Sequence, residues 1–232
     1  MDHASRLRVV SYNINSWSGD QTALITSVRA LAPDVLVLQQ ALSWQDPRTW
    51  FLDLAGRFGM AHAFGGLRAL GTALLTSTTV TVHGFRVVRY PLVWPRDSPR
   101  GAVVVSCSVS GVRIVAAGSH LSTDTAVRER QAVMLKQTLN AAGAPVVVGV
   151  DVNETSTGLA WRTIANDLVD AAEATGQADV PTFSTSAPRR RIDAIFVQPS
   201  LSVIDYGVVD TPQTRVASDH FPIYADVALA GG

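Results

Sequence analysis

Short apolar runs rich in Val, Ile and Leu, each bounded by turn formers, recur at residues 7–14, 34–38, 71–76, 80–88, 102–109, 112–118, 145–150, 191–197, 201–209 and 222–228. Runs of this length and composition predict strands, because β-branched side chains suit a pleated surface and alternate residues face opposite sides. Only Ser110 and Gly111 separate the runs at 102–109 and 112–118. A two-residue turn of that kind predicts a hairpin, so the sheet is at least partly antiparallel. Apolar positions three and four apart predict helices instead over 22–31 (Leu24, Ile25, Val28, Leu31), 49–58 (Trp50, Leu54, Phe58), 125–141 and 159–168. Pro33 and Pro145 close two of these, and 179–190, with Pro181 and Pro188, reads as a polar loop. Strands outnumber helices, and the helices fall between groups of strands rather than after each one. That predicts a mixed α/β layered protein, not a (β/α)8 barrel, and no GxGxxG or P-loop sequence points to a nucleotide-binding fold.

Composition sharpens this. At 232 residues, 47% hydrophobic and 16% charged, the chain reads as a single globular domain over 1–232. Its formal net charge is zero, so it lacks the basic field of a non-specific DNA binder. Long nucleic acid is therefore not the expected partner, and a small-molecule substrate is. Lys136 is the only lysine; arginine supplies every other cation, which suits phosphate recognition but equally reflects a GC-rich genome. Cys107, the only cysteine, sits in the alternating run Val103, Val105, Cys107, Val109 and reads as a core residue. The N-terminal residues lack the apolar run of a secretory signal, and no run approaches a membrane span. The expected location is cytoplasmic.

Polar and ionisable residues recur where the apolar runs end: Asn13 and Asn15, Gln39 and Gln40, His120, Asp151 and Asn153, Asp193, and Ser218-Asp219-His220. Strand ends and their loops are where sites are assembled on a rigid frame. Singly, each has an ordinary explanation as a turn former or helix cap; together they are site candidates.

The ordered blocks Leu7-Arg8-Val9-Val10-Ser11-Tyr12-Asn13, Pro33-Asp34-Val35-Leu36-Val37-Leu38-Gln39, Gly71-Thr72-Ala73-Leu74-Leu75, Ser119-His120-Leu121, Gly149-Val150-Asp151-Val152-Asn153, Arg191-Ile192-Asp193-Ala194-Ile195-Phe196 and Ser218-Asp219-His220-Phe221-Pro222 resemble the endonuclease/exonuclease/phosphatase superfamily. Arg130-Gln131 fits the same resemblance. It implies a DNase I-like four-layer α/β sandwich, two mainly antiparallel sheets with helices outside, and a phosphoesterase using Mg²⁺ or Mn²⁺. It further implies that Asp151 orients and deprotonates the attacking water and that Asn153 holds a phosphoryl oxygen. Asp193 pairs with His220, His120 is a phosphate ligand or general acid, and Asn13 and Asp219 belong to the metal and phosphate side. His3, His62 and His83 fall outside the blocks.

One position departs. Where the family places a metal-binding Glu this chain has Gln40, whose neutral amide is a much weaker ligand for a hard cation. Asn15 is a second, milder departure, while Asp219 and Glu154 still offer carboxylates. Three explanations stay open: an engineered inactivating change, a natural enzyme with weaker metal use, or a pocket turned to other work. That work would be metal-independent acid–base chemistry, such as a rearrangement or cyclisation in biosynthesis, or ligand binding without catalysis. The segment 86–100 interleaves arginines with Tyr90 and Trp94, so Arg100 and Trp94 are candidate substrate contacts. Trp17, Trp44 and Trp50 lie near the metal-side blocks.

Overall fold

The computed structural model describes residues 5–41, 47–95 and 97–229. One six-stranded sheet contains β1 (Ser5–Asn13), β2 (Val35–Gln39), β3 (His62–Gly66), β4 (Thr72–Thr76), β11 (Ser202–Val208) and β12 (Ile223–Leu229), in the order β11-β12-β1-β2-β4-β3. The other contains β5 (Val80–Arg89), β6 (Gly101–Val109), β7 (Val112–His120), β8 (Val146–Asp151), β9 (Val169–Asp170) and β10 (Asp193–Val197), in the order β5-β6-β7-β8-β10-β9. Each sheet is mixed: β1 and β2 pair in parallel, as do β7 and β8, and the other neighbours are antiparallel. A parallel pair needs a crossover. Helix α1 (Gln21–Leu31) supplies the first and α3 (Thr125–Asn140) the second.

The period of two along each strand builds the layers. Val35 and Val37 of β2 face the core between the sheets with Ile195 and Val197 of β10, whereas Leu36 and Leu38 face Leu24 and Val28 of α1 and Leu54 and Phe58 of α2 (Pro47–Phe58). On the far side, Val148 of β8 and Phe196 of β10 pack on Leu135 of α3 and on Trp161 and Ile164 of α4 (Leu159–Ala165). Strands buried on both faces read as continuous apolar runs because helices cover the outer faces. Cys107 is fully buried in the inter-sheet core, where burial pushes its thiol up to about 11.

The hairpin between β6 and β7 turns on Ser110 (φ 49°) and Gly111 (φ 83°), both left-handed, as a type I′ turn requires. Four short elements had no sequence signal strong enough to predict them: β3, β9, α5 (Ala171–Ala174) and α6 (Pro212–Ala217). The first is a glycine-containing edge strand, and the rest are too short to establish a period. The helix predicted to reach 168 ends at Ala165, and β9 follows. Trp44 lies outside the described residues.

The sheets approach closely at Gly118 and Gly149. A Cβ on Gly118 would sit 2.4 Å from Val37 Cγ1, and one on Gly149 would sit 2.8 Å from Ser11 Oγ. Val37 is β-branched and fully buried, so it has little room to yield. Gly118→Ala is therefore expected to cost about 1–3 kcal/mol by overpacking, read as a lower denaturant midpoint with unchanged m-value.

Candidate active site

The two parallel pairs end at the same edge of the sandwich, and their last residues are polar. Asn13 and Gln39 are in register at the ends of β1 and β2. Across the other sheet His120, Asp151 and Asp193 stand in one row at the adjoining ends of β7, β8 and β10. Both β1 and β8 then make the same turn. The N–H of Asn15 donates to Asn13 Oδ1 at 3.0 Å, and that of Asn153 donates to Asp151 Oδ1 at 3.0 Å. Asn15 (φ 46°) and Asn153 (φ 59°) adopt the left-handed conformation that Asn tolerates better than most residues. Ile14 and Val152 between them are fully buried in the outer cores and anchor each turn.

These turns aim their first residues at one another. Asn13 Nδ2 donates to Asp151 Oδ2 at 2.8 Å, joining the sheets through a buried bond between residues 138 apart in sequence. His220, in the loop between α6 and β12, places Nδ1 2.9 Å from Asp193 Oδ2, and its Nε2 lies 3.4 Å from Asn13 Nδ2 and 3.8 Å from Asp151 Oδ2. Thr182 Oγ1 donates to Asp193 Oδ2 at 2.6 Å, Phe183 packs on the His220 ring at 4.7 Å, and Ser218 Oγ donates to the Asn13 carbonyl at 2.7 Å.

The two histidines are driven to opposite charge states. Burial lowers the affinity of His220 for its proton, but Asp193, by charge and by hydrogen bond, together with Asp151 and Asp219 outweighs it, raising the pKa to about 9. His120 is pushed down to about 3 by burial, with Arg100 and His220 adding to the effect against Asp151. Arg100 Nη1 lies 2.6 Å from His120 Nδ1. A guanidinium only donates, so Nδ1 is the acceptor and the proton of the neutral ring is on Nε2. That N–H faces Asp151 Oδ2 at 3.2 Å, and Asn153 Nδ2, 3.0 Å from the same Nε2, donates to the Leu121 carbonyl at 2.8 Å.

Arg100 makes no ion pair among the described residues, and its buried Nε has no partner. With Gln40, Ser16, Leu67, Leu70 and Pro99 it lines a cleft of about 430 Å³. A buried unpaired donor beside the site suits an anionic ligand. Its neighbourhood is held by Gln131, which accepts from the Ser122 N–H (2.7 Å) and donates to Asp97 (2.8 Å).

Not every sequence candidate arrives here. Trp94 is 81% exposed and does not line this cleft. Trp17 packs on Phe58, and Trp50 lies in α2. The Glu154 carboxylate is occupied by Arg128 (2.9 Å) and by the Trp161 N–H at the start of α4 (2.8 Å), so it is a structural group and not a spare metal ligand. Asn15 enters through its main chain. Thr182 and Phe183 were missed, because they lie in a polar loop without periodicity and meet Asp193 and His220 only in the folded chain.

The model of the Endonuclease/Exonuclease/phosphatase family matches residues 10–220. The chain belongs to this family. Among curated proteins none matches the sequence. Solved structures share the fold. A family member from Beutenbergia cavernae is 24% identical with TM-score 0.79, covering 97% of this chain and 72% of that one. The Bacteroides thetaiotaomicron mannosyl-6-phosphatase is 18% identical with TM-score 0.75, covering 96% and 100%. The human Nocturnin catalytic domain with bound sulfate is 21% identical with TM-score 0.77, covering 97% and 95%.

Members of this family usually use divalent metal ions. Among the described residues, Asp151, Asp193 and His220 form a buried cluster of closely grouped potential ligands. Its donors are engaged with one another and with Asn13, Thr182 and Asn153. Nδ1 of the charged His220 is committed to Asp193. Gln40, in a left-handed turn after β2 (φ 53°), contributes no charge, which leaves Asp219 as the half-buried carboxylate of the predicted metal pair. Among the described residues, no helix is long and apolar enough to cross a membrane.

Proposed function

We propose that this protein is a phosphoesterase acting on a small phosphorylated substrate, with a weakened metal site. The reading rests on one observation: His220, paired to Asp193, and His120, paired to Arg100, flank the same buried carboxylate, Asp151. In this reading Asp151 accepts a proton from the attacking water as its oxygen bonds to phosphorus and the ester P–O bond breaks; the leaving alkoxide takes a proton from solvent, and Asp151 returns its own to solvent. Among the described residues Nε2–H of His220 has no short acceptor; in this reading it is directed to a phosphoryl oxygen, while Asn153 and Arg100 bind the others. Groups fixed in advance by hydrogen bonds need little reorganisation as charge develops, which is how such a site lowers a barrier. One protein of this fold is a mannosyl-6-phosphatase, and the neutral net charge here fits a small substrate better than long nucleic acid.

The test is hydrolysis of a panel of phosphomonoesters and phosphodiesters with added Mg²⁺ or Mn²⁺, and again with EDTA. Turnover of at least one class is expected, and none on any class would sink the reading. Gln40→Glu restores a full negative charge to the metal side. It is expected to tighten Mn²⁺ binding about tenfold or more by calorimetry. Equal affinity would remove position 40 as the cause of weak binding. Gln40 also favours a second reading, metal-independent acid–base chemistry on the same histidines, to which activity undiminished by EDTA but lost in His220→Gln would point.

A further inference from the structure

A second cleft, of about 480 Å³, opens at the side of the sandwich and is lined by Arg68, Phe85, Arg86, Val87 and Arg89. Among the described residues no acidic side chain lines it. Arg89 Nε donates to the Arg68 carbonyl at 2.8 Å, which holds the two residues together, and among the described residues neither guanidinium has a carboxylate partner. Arg86, also in the lining, donates through Nη2 to the Thr138 carbonyl of α3 at 2.7 Å. Phe85, 49% exposed, meets Phe64 of β3 at 5.0 Å, so the two sheet edges close a wall beneath the arginines.

The place of this cleft is as informative as its charge. Leu67 lines the cleft that contains Arg100 and Gln40, and Arg68, the next residue in the same short 3-10 turn (Leu67–Ala69), lines the second. Consecutive Cα atoms are about 3.8 Å apart. The two clefts are therefore neighbours across a single residue, with an uncharged wall of Leu67, Leu70 and Pro99 on the catalytic side. The chain is neutral overall, so unpaired cations gathered in a concavity beside the site are a local feature and not the fringe of a general basic field.

We infer that Arg68 and Arg89 form a second anion subsite, which takes a second phosphate or carboxylate of the same substrate while its uncharged middle crosses Leu67. The inference builds on the phosphoesterase reading, and its test separates the two. Inorganic phosphate titrated into ¹⁵N-labelled protein reports on the arginine Nε–H signals. Saturable shifts are expected at Arg100 and also at Arg68 and Arg89. Shifts at Arg100 alone overturn the second subsite and leave the phosphoesterase reading standing; shifts at Arg68 and Arg89 alone do the reverse.

Linkage on one ligand is read by calorimetry with alkyl monophosphonates and α,ω-alkane bisphosphonates of increasing length. At the matching length the bisphosphonate is expected to bind about tenfold tighter or more, because the second contact becomes intramolecular. The double variant R68Q/R89Q, changed at two exposed positions, should remove that gain and leave monophosphonate binding unchanged. A gain of no more than about twofold at every length, the statistical factor for two equivalent ends, or a gain that survives in R68Q/R89Q, overturns the inference.

Discussion

Asp193→Asn is expected to lower kcat/KM on any phosphoester the protein hydrolyses by about 10²- to 10⁴-fold, the range for loss of a positioned proton donor. The carboxylate at 2.9 Å keeps the His220 proton on Nδ1 and the ring charged, and an amide in its place can do only the first. Without that charge, burial dominates and the ring becomes neutral at pH 7. The pH dependence tests this separately. The folded pKa, about 9, lies above the ordinary 6.5. The stabilisation from protonated His220 is therefore complete below about 6.5 and disappears as pH rises through about 9. Wild-type activity should fall over the same alkaline limb, and Asp193→Asn should move that limb down by more than one pH unit. Imidazole ¹⁵N shifts across the titration measure the ionisation directly. An alkaline limb that stays in place would show that His220 does not carry it.

Asp170→Ala is expected to cost about 3–5 kcal/mol of unfolding free energy, because it strands a buried cation. Arg191 Nη1 lies 3.1 and 2.9 Å from the two Asp170 oxygens, its Nε donates to the Ala178 carbonyl, and its guanidinium stacks 4.6 Å over Trp161. Both side chains are almost fully buried; among the described residues the remaining Nη2 has no hydrogen-bond partner, and Glu173 Oε1 lies 4.0 Å from it. Asp170 also caps α5 through the Ala172 N–H. Asp170→Asn/Arg191→Met retains a capping oxygen and removes both charges, so it should be less destabilised than Asp170→Ala when both are unfolded in urea at pH 7. If the double variant is the weaker, the cost lies in lost packing and not in the stranded charge. Arg191 stands two residues before Asp193, so Asp170→Ala should also reduce activity by loosening the start of β10.

The divide between what was readable in the chain and what was not follows the range of the interactions. Strands and helices with a clear period of two or 3.6 were readable to within a few residues, because their burial pattern is local. So were the family blocks, since Asn13, His120, Asp151, Asn153, Asp193 and His220 each stand where an apolar run ends or resumes. Gln40 was readable as a missing charge from its identity alone. The short elements β9, α5 and α6 were not, because fewer than two turns or three residues carry no period. Glu154 looked like a spare metal ligand until folding brought Arg128, 26 positions earlier, against it.

The sequence by itself determined the layered fold, the family and the candidate site residues. Only the tertiary structure decided their charge states. Asp193 and His220 are 27 residues apart, and Arg100 and His120 are 20 apart. Whether a histidine is charged or neutral depends on which carboxylate or guanidinium lies within about 3 Å and on how much water is left around it. Those distances exist only once the two sheets have closed face to face, bringing the ends of β1, β7, β8 and β10 to one edge.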